Sequence, residues 1–146
     1  MKREFSTRRA MRHRGSTLVE FGLVAPLILI FFMAIMDFGW LAKNNLQMNN
    51  AVREGARLLS IGSSTQAVSD LVRRRCSPLT VDITIDYTLD RGATYTPVAI
   101  NSTSPNQIPT TALSRVTAIN TYRPLTGVLP WLRGSRLRQR AEFGRE

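Results

Sequence analysis

From Phe21 to Met36 the chain reads FGLVAPLILIFFMAIM without a charged side chain, and after Asp37 the apolar run resumes through FGWLA to Ala42. About 22 such residues make roughly 33 Å of helix, enough to cross a bilayer. A helix apolar on every side would need protein all around it to sit in a soluble core, and 146 residues scarcely provide that. The pattern therefore predicts one transmembrane helix. Pro26, about a turn inside, predicts a bend that a membrane helix tolerates when neighbouring groups satisfy the freed carbonyl.

Past the span the helical period continues. Leu41, Met48, Val52, Gly55 and Leu59 recur on one side, with Asn50, Arg53, Glu54 and Arg57 on the other. One long helix leaving the membrane explains both halves, and Gly62-Ser63-Ser64 marks its end. Ala51, Gly55 and Ala56 permit close approach of a neighbour, while Glu54 and Arg57 read as an exposed pair on the helix. A second helix is predicted from Thr65 through Val68, Leu71 and Val72 to Arg75, stopped by Ser77-Pro78. Val81, Ile83, Ile85, Tyr87 and Leu89 then alternate with Asp82, Thr84, Asp86, Thr88 and Asp90, the period of a strand with one buried face. Arg91-Gly92 reads as a turn, 95–100 as a strand interrupted at its edge by Pro97, 101–109 as a polar loop, and Leu113 to Tyr122 as the last strong strand. The expected fold class is α+β: a single N-terminal transmembrane helix, extended into a long helix packed on a small antiparallel sheet. Its segments are a basic leader (1–15), the transmembrane helix (16–42), a helix extension (43–62) and a small domain with a basic C-terminal tail (63–146).

Charge sets the orientation. Lys2, Arg3, Arg8, Arg9, Arg12 and Arg14 precede the span against Glu4 alone, whereas the first ten residues after Ala42 carry only Lys43. That bias places the N-terminus in the cytoplasm and exports everything after about Lys43. The net charge of +10 admits a nucleic-acid reading, and Arg133, Arg136, Arg138, Arg140 and Arg145 near the C-terminus could hold an anionic polymer or lipid. Beyond Trp131 and Phe143 no aromatic residue is interleaved there for base stacking, which makes nucleic acid an unfavoured partner and a solvated terminal strand or tail the plainer reading.

Catalytic chemistry finds little support. Cys76 and His13 are each the only residue of their type, so neither an internal disulfide nor a histidine-built metal site is expected. Asp82 and Asp90 would lie about 26 Å apart along a strand, too far to share a metal or a glycoside, so the aspartate row reads as a solvated face. With no phosphate loop or nucleophile motif either, the expectation is a protein without enzyme activity or cofactor.

Three export signals share this layout. A secretory signal needs a shorter apolar run ending in small residues at A-x-A-like spacing, and residues 36–42 offer none at that spacing; the same lack counts against a twin-arginine reading of Arg8-Arg9. The stretch Arg14-Gly15-Ser16-Thr17-Leu18-Val19-Glu20-Phe21 resembles a type IV prepilin processing site, where a basic leader ends in glycine and is followed by four residues, a glutamate and an apolar helix. The order Glu20-Phe21, Pro26-Leu27, Asp37-Phe38-Gly39, then Asn50-Ala51 and Arg53-Glu54-Gly55-Ala56-Arg57 is similar to the TadE-like proteins, minor pseudopilins of tight-adherence pili. Gly22 and Trp40 depart from the commoner residues at their places, and the later chain resembles the family only loosely, up to Tyr122-Arg123-Pro124-Leu125. The resemblance implies cleavage by a prepilin peptidase between Gly15 and Ser16 and a bacterial inner-membrane location with an extracytoplasmic C-terminal domain. The partners it implies are the peptidase, other pseudopilins, the major pilin and the inner-membrane assembly platform. An acid at the edge of a hydrocarbon segment is costly unless paired, and the α-amino group of a neighbouring subunit is the partner implied for Glu20. The alternative is an uncleaved, membrane-anchored envelope protein whose basic exported domain binds DNA or another anionic polymer.

Overall fold

The structure, a computed structural model, describes residues 8–100, 108–109 and 111–144, with side chains from Thr17 onward. The first residues of the expected leader, most of the expected polar loop at 101–109, and Arg145 lie outside the described residues. One helix, α1 (Arg8–Ser60), occupies the first third of the chain and passes unbroken through Pro26 and through the expected boundaries at 15/16 and 42/43. Its end is set by chemistry legible in the sequence. Gly62 adopts φ +91°, its amide donates to the carbonyl of Leu59, and that of Ser63 donates to Leu58. This closes α1 with the paired bonds that a left-handed glycine makes possible.

The chain reverses at once into α2 (Thr65–Cys76), whose N-cap Ser64 accepts from the Ala67 amide and whose last turn carries Arg73, Arg74 and Arg75 against the negative helix end. Gln47 of α1 donates to the carbonyls of Arg75 and Ser77, satisfying backbone acceptors that the end of α2 leaves over. Four strands follow: β1 (Asp82–Thr88), β2 (Thr96–Val98), β3 (Leu113–Thr121) and β4 (Arg136–Gly144), with a short 3-10 turn, Pro130–Leu132, between the last two. They form one antiparallel sheet in the order β2-β1-β3-β4.

The alternating side chains Ile83 and Ile85 stand opposite Ala118 and Val116, and Ala141 stands opposite Val116 from the other side. This face meets Met48, Val52, Ala56 and Leu59 of α1 and Val68, Val72 and Cys76 of α2 in one buried core. Burying each large aliphatic side chain contributes roughly 1.5–3 kcal/mol. The expected α+β arrangement is therefore present, with the helix extension supplying one wall of the core.

One expectation is resolved and two need correction. Of the two readings of the arginine-rich C-terminal segment, terminal strand or tail, the structure has the strand: Leu137, Gln139 and Ala141 turn toward α1 while Arg136, Arg138 and Arg140 turn away. The arginines hide a two-residue alternation of ordinary strand type. In β1 the alternation fails at its end, because Thr88 is buried and its hydroxyl accepts from the amides of Asp90 and Gly92, leaving Leu89 exposed. A hydroxyl placed to hold a turn outcompetes a leucine for the interior position. Glu54 pairs with Arg75 across the helix junction at 2.9 Å, in place of an Arg57 partner on its own helix.

Gly55 marks the closest approach of the two helices. A Cβ there would lie 2.8 Å from Cγ2 of Val72 and 3.3 Å from Cγ1 of Val68, stiff β-branched neighbours that cannot swing aside. Gly55→Val is expected to lower the unfolding free energy of the detergent-solubilised protein by about 1–3 kcal/mol or more. Gly39→Ala, where a Cβ meets nothing within 4 Å, should be neutral or stabilising by up to about 1 kcal/mol. Denaturant midpoints of the two variants check the contrast.

Candidate functional site

Along α1 the surroundings change by section. The stretch from Leu18 to Met36 is exposed in large part, Phe21, Leu23 and Leu27 among its most open side chains, and no residue of its most apolar window is buried. From Met48 onward the same helix carries core residues at 0% exposure. This is a candidate membrane anchor followed by the spine of a folded domain. Exposing so many large apolar side chains to water is unfavourable, and lipid or other subunits remove the cost.

Asp37 sits between these sections, wholly buried. Its Oδ1 accepts from the amides of Leu125 and Thr126 at 2.9 and 2.8 Å, and its Oδ2 accepts from the Thr126 hydroxyl at 2.7 Å. One residue thus grips a loop nearly ninety positions away. The backbone carbonyl of Asp37 takes a further bond, 2.8 Å, from the hydroxyl of buried Tyr122. Burial, and then the negative charge of Asp37, push the Tyr122 hydroxyl pKa up, so it remains a donor in this contact. Both carboxylate oxygens are occupied, and the group works as a clip between helix and loop. Beside it the Lys43 ammonium lies over the Trp40 ring, 4.7 Å from its centre, in a cation–π contact.

The predicted site residues divide by location. Gly15 and Ser16 lie in the α1 backbone, their side chains outside the described ones. Glu20 and Phe21 are exposed at the foot of the apolar section, and Pro26 is exposed within it. Glu20 is about 25 Å along the helix from Asp37 at 1.5 Å per residue, so the predicted processing segment and the clip are separate places on α1. Of the remaining motif positions, Asp37, Gly55 and Ala56 turn inward, whereas Phe38, Gly39, Asn50, Arg53 and Arg57 are exposed. Glu54 is half-buried in its ion pair with Arg75.

Sequence reasoning passed over Tyr122 and Thr126 as partners for Asp37. The available signal was Asp37 itself, since an acid interrupting an apolar helix needs donors somewhere. The aspartate row is also not uniformly solvated. Asp82 is exposed, but Asp86 pairs with Arg115 directly across the strands at 2.7 Å with its side chain only 15% exposed. The Arg115 guanidinium in turn lies 3.4 Å from the Tyr95 ring centre. Among the described residues no group of three or more His, Cys, Asp or Glu is placed to hold a metal.

A cleft of about 600 Å³ opens beside the clip, between Trp40 and Asn44 of α1, the turn at Pro78–Thr80 and the end of β3. Asp82 and Arg123 line it without forming a nucleophile–base pair.

Residues 15–57 match the family model of TadE-like proteins, the segment that holds the processing-type sequence, the apolar helix and the inward and outward motif positions just described. Neither the curated proteins nor the solved structures contain a match to this chain.

Replacing Asp37 with alanine removes the acceptor of two amides and a hydroxyl and should cost about 3–5 kcal/mol. Hydrogen exchange should show loss of protection at Leu125 and Thr126, and Asp37→Asn, which keeps one acceptor oxygen, should show a smaller loss. Cys76 is fully buried in the core and its thiol pKa is pushed up by that burial. Maleimide labelling of the folded protein should therefore be slower by orders of magnitude than labelling in denaturant. Equal rates would contradict the buried placement of Cys76.

Proposed function

We propose, from the TadE-like match over residues 15–57, that this chain is a minor pseudopilin or pilus-assembly component of tight-adherence, Flp-type machinery. The family suggests association with that pilus system, and the observation that carries the reading is the two-part helix: an apolar section whose most apolar window holds no buried residue, continuous with the core helix of a small domain. Such a helix suits lateral packing in a membrane and then among subunits, work that needs neither active site nor cofactor.

In this reading a prepilin peptidase removes residues 1–15 and leaves Ser16 as the new N-terminus, with Glu20 positioned to meet the α-amino group of a neighbouring subunit. The N-terminus faces the cytoplasm, the helix spans the inner membrane, and the domain from about Lys43 lies outside it. Exposed Asn50, Arg53 and Arg57 are the motif residues available to other pseudopilins, the major pilin or the assembly platform, because the chain's own core does not use them. Surface adhesion through the pilus is the process served.

The deciding measurement is the mature N-terminus, taken by mass spectrometry on membrane-extracted protein from cells with and without prepilin peptidase. A chain starting at Ser16 only when the peptidase is present is the expected result. An intact leader in both strains would overturn the pseudopilin reading. It would favour an anchored polymer-binding protein, for which the outward row Arg136, Arg138 and Arg140 on β4 is the relevant surface.

A further inference from the structure

The connection between β3 and β4 is a closed loop. Its neck is the pair Tyr122 and Ser135, where the Tyr122 amide donates to Ser135 and the Gly134 amide donates to the Tyr122 carbonyl. Between the exposed arginines Arg123 and Arg133 it reads Pro-Leu-Thr-Gly-Val-Leu-Pro-Trp-Leu, without a charge. Two of its large side chains face outward, Leu125 at 58% and Trp131 at 72% exposure, an unfavourable state in water.

The loop does not extend away from the anchor. It runs down along it, and Val128, Leu129 and Trp131 form an apolar groove of about 590 Å³ with the α1 face from Leu27 to Ala34. That face lies three to ten residues before Asp37, or roughly 5–15 Å along the helix toward the N-terminus, within the uncharged stretch.

Much of the loop's backbone is satisfied without water. Pro124 and Pro130 carry no amide hydrogen. The amides of Leu125 and Thr126 donate to Asp37, that of Val128 to the Thr126 hydroxyl, and that of Leu132 to the Leu129 carbonyl. Irregular backbone at hydrocarbon depth is tolerated only where its polar groups are satisfied internally.

We infer that this loop is a second membrane-embedded element, whose groove and outward side chains are covered by lipid acyl chains of the leaflet on the domain's side. The inference rests on the reading of α1 as a membrane span. The groove is continuous with the apolar surface of α1, which favours lipid as its occupant. Arg123 and Arg133 stand at the two ends of the loop, where they meet lipid phosphates while Trp131 takes the depth that indoles prefer. Asp37 is the polar clip that lets the loop enter, by satisfying its first amides from the helix side.

The test uses the full chain, reconstituted in vesicles of phosphatidylcholine and phosphatidylglycerol. The chain has two tryptophans, so Trp40→Phe leaves Trp131 as the only indole, and Trp131→Phe is the control that reports Trp40. Flotation establishes insertion, and emission is then followed with acyl-chain-brominated phosphatidylcholine and with aqueous acrylamide. Trp131 is expected to lose most of its emission to the brominated lipid and to be several-fold less accessible to acrylamide than in the denatured chain. Floating protein with Trp131 open to acrylamide and untouched by bromine overturns the loop proposal and leaves the span intact. Floating protein with Trp131 shielded from both quenchers also overturns it, and assigns the groove to a protein surface such as a second copy. A chain that does not float overturns the membrane span, and the loop proposal with it.

Discussion

Where a helix passes from apolar surroundings into a folded domain, the polypeptide that packs beside it brings amides needing acceptors, and an apolar helix surface offers none. Asp37 meets that constraint. Its carboxylate takes the amides of Leu125 and Thr126 and the Thr126 hydroxyl, and its carbonyl takes Tyr122. A buried charge without such donors is strongly destabilising, whereas one with both oxygens engaged can hold a unique geometry. The position of the sheet relative to the anchor depends on it, because β3 ends and the β3–β4 loop begins at the residues it binds.

The folded domain then follows from ordinary packing. Gly55 lets α2 lie close against α1, and the stripe from Met48 to Leu59 seals one face of the sheet. The opposite face of the sheet holds the outward arginines of β4 and the Asp86–Arg115 pair. One helix thereby presents a core stripe and an open side, with the processing-type segment at its far end. The helix-packing role proposed for the protein draws on the side that the core leaves free.

Much of this was legible in the sequence because periodicity reports burial. The α1 stripe, the cap at Gly62, the span of α2 and the first half of β1 follow from spacing and from glycine and proline chemistry. What escaped was set by partners distant in the chain. Glu54 reads as an intrahelical neighbour of Arg57 until α2 brings Arg75 against it. Thr88 takes an interior position because a turn needs its hydroxyl. In β4 a dense run of arginines masks the alternating inward residues. Asp37 was visible as an anomaly, but locating Tyr122 and Thr126 required the register of β3. Within the functional segment, the order of motifs could be read directly, while the division into inward and outward residues needed the fold.

Because α1 continues unbroken from the apolar section into the domain, the clip and the core must stay in phase around one axis. From Asp37 to Met48 is about three helical turns and from Asp37 to Leu59 about six, at 3.6 residues per turn, so the carboxylate and the core residues lie on one line down the helix. The interval between them therefore carries information of its own, independent of which side chains fill it. Adding or deleting a single position would turn the carboxylate about 100° away from its loop. Helix length, as much as composition, joins the anchor to the domain in a fixed angular relation.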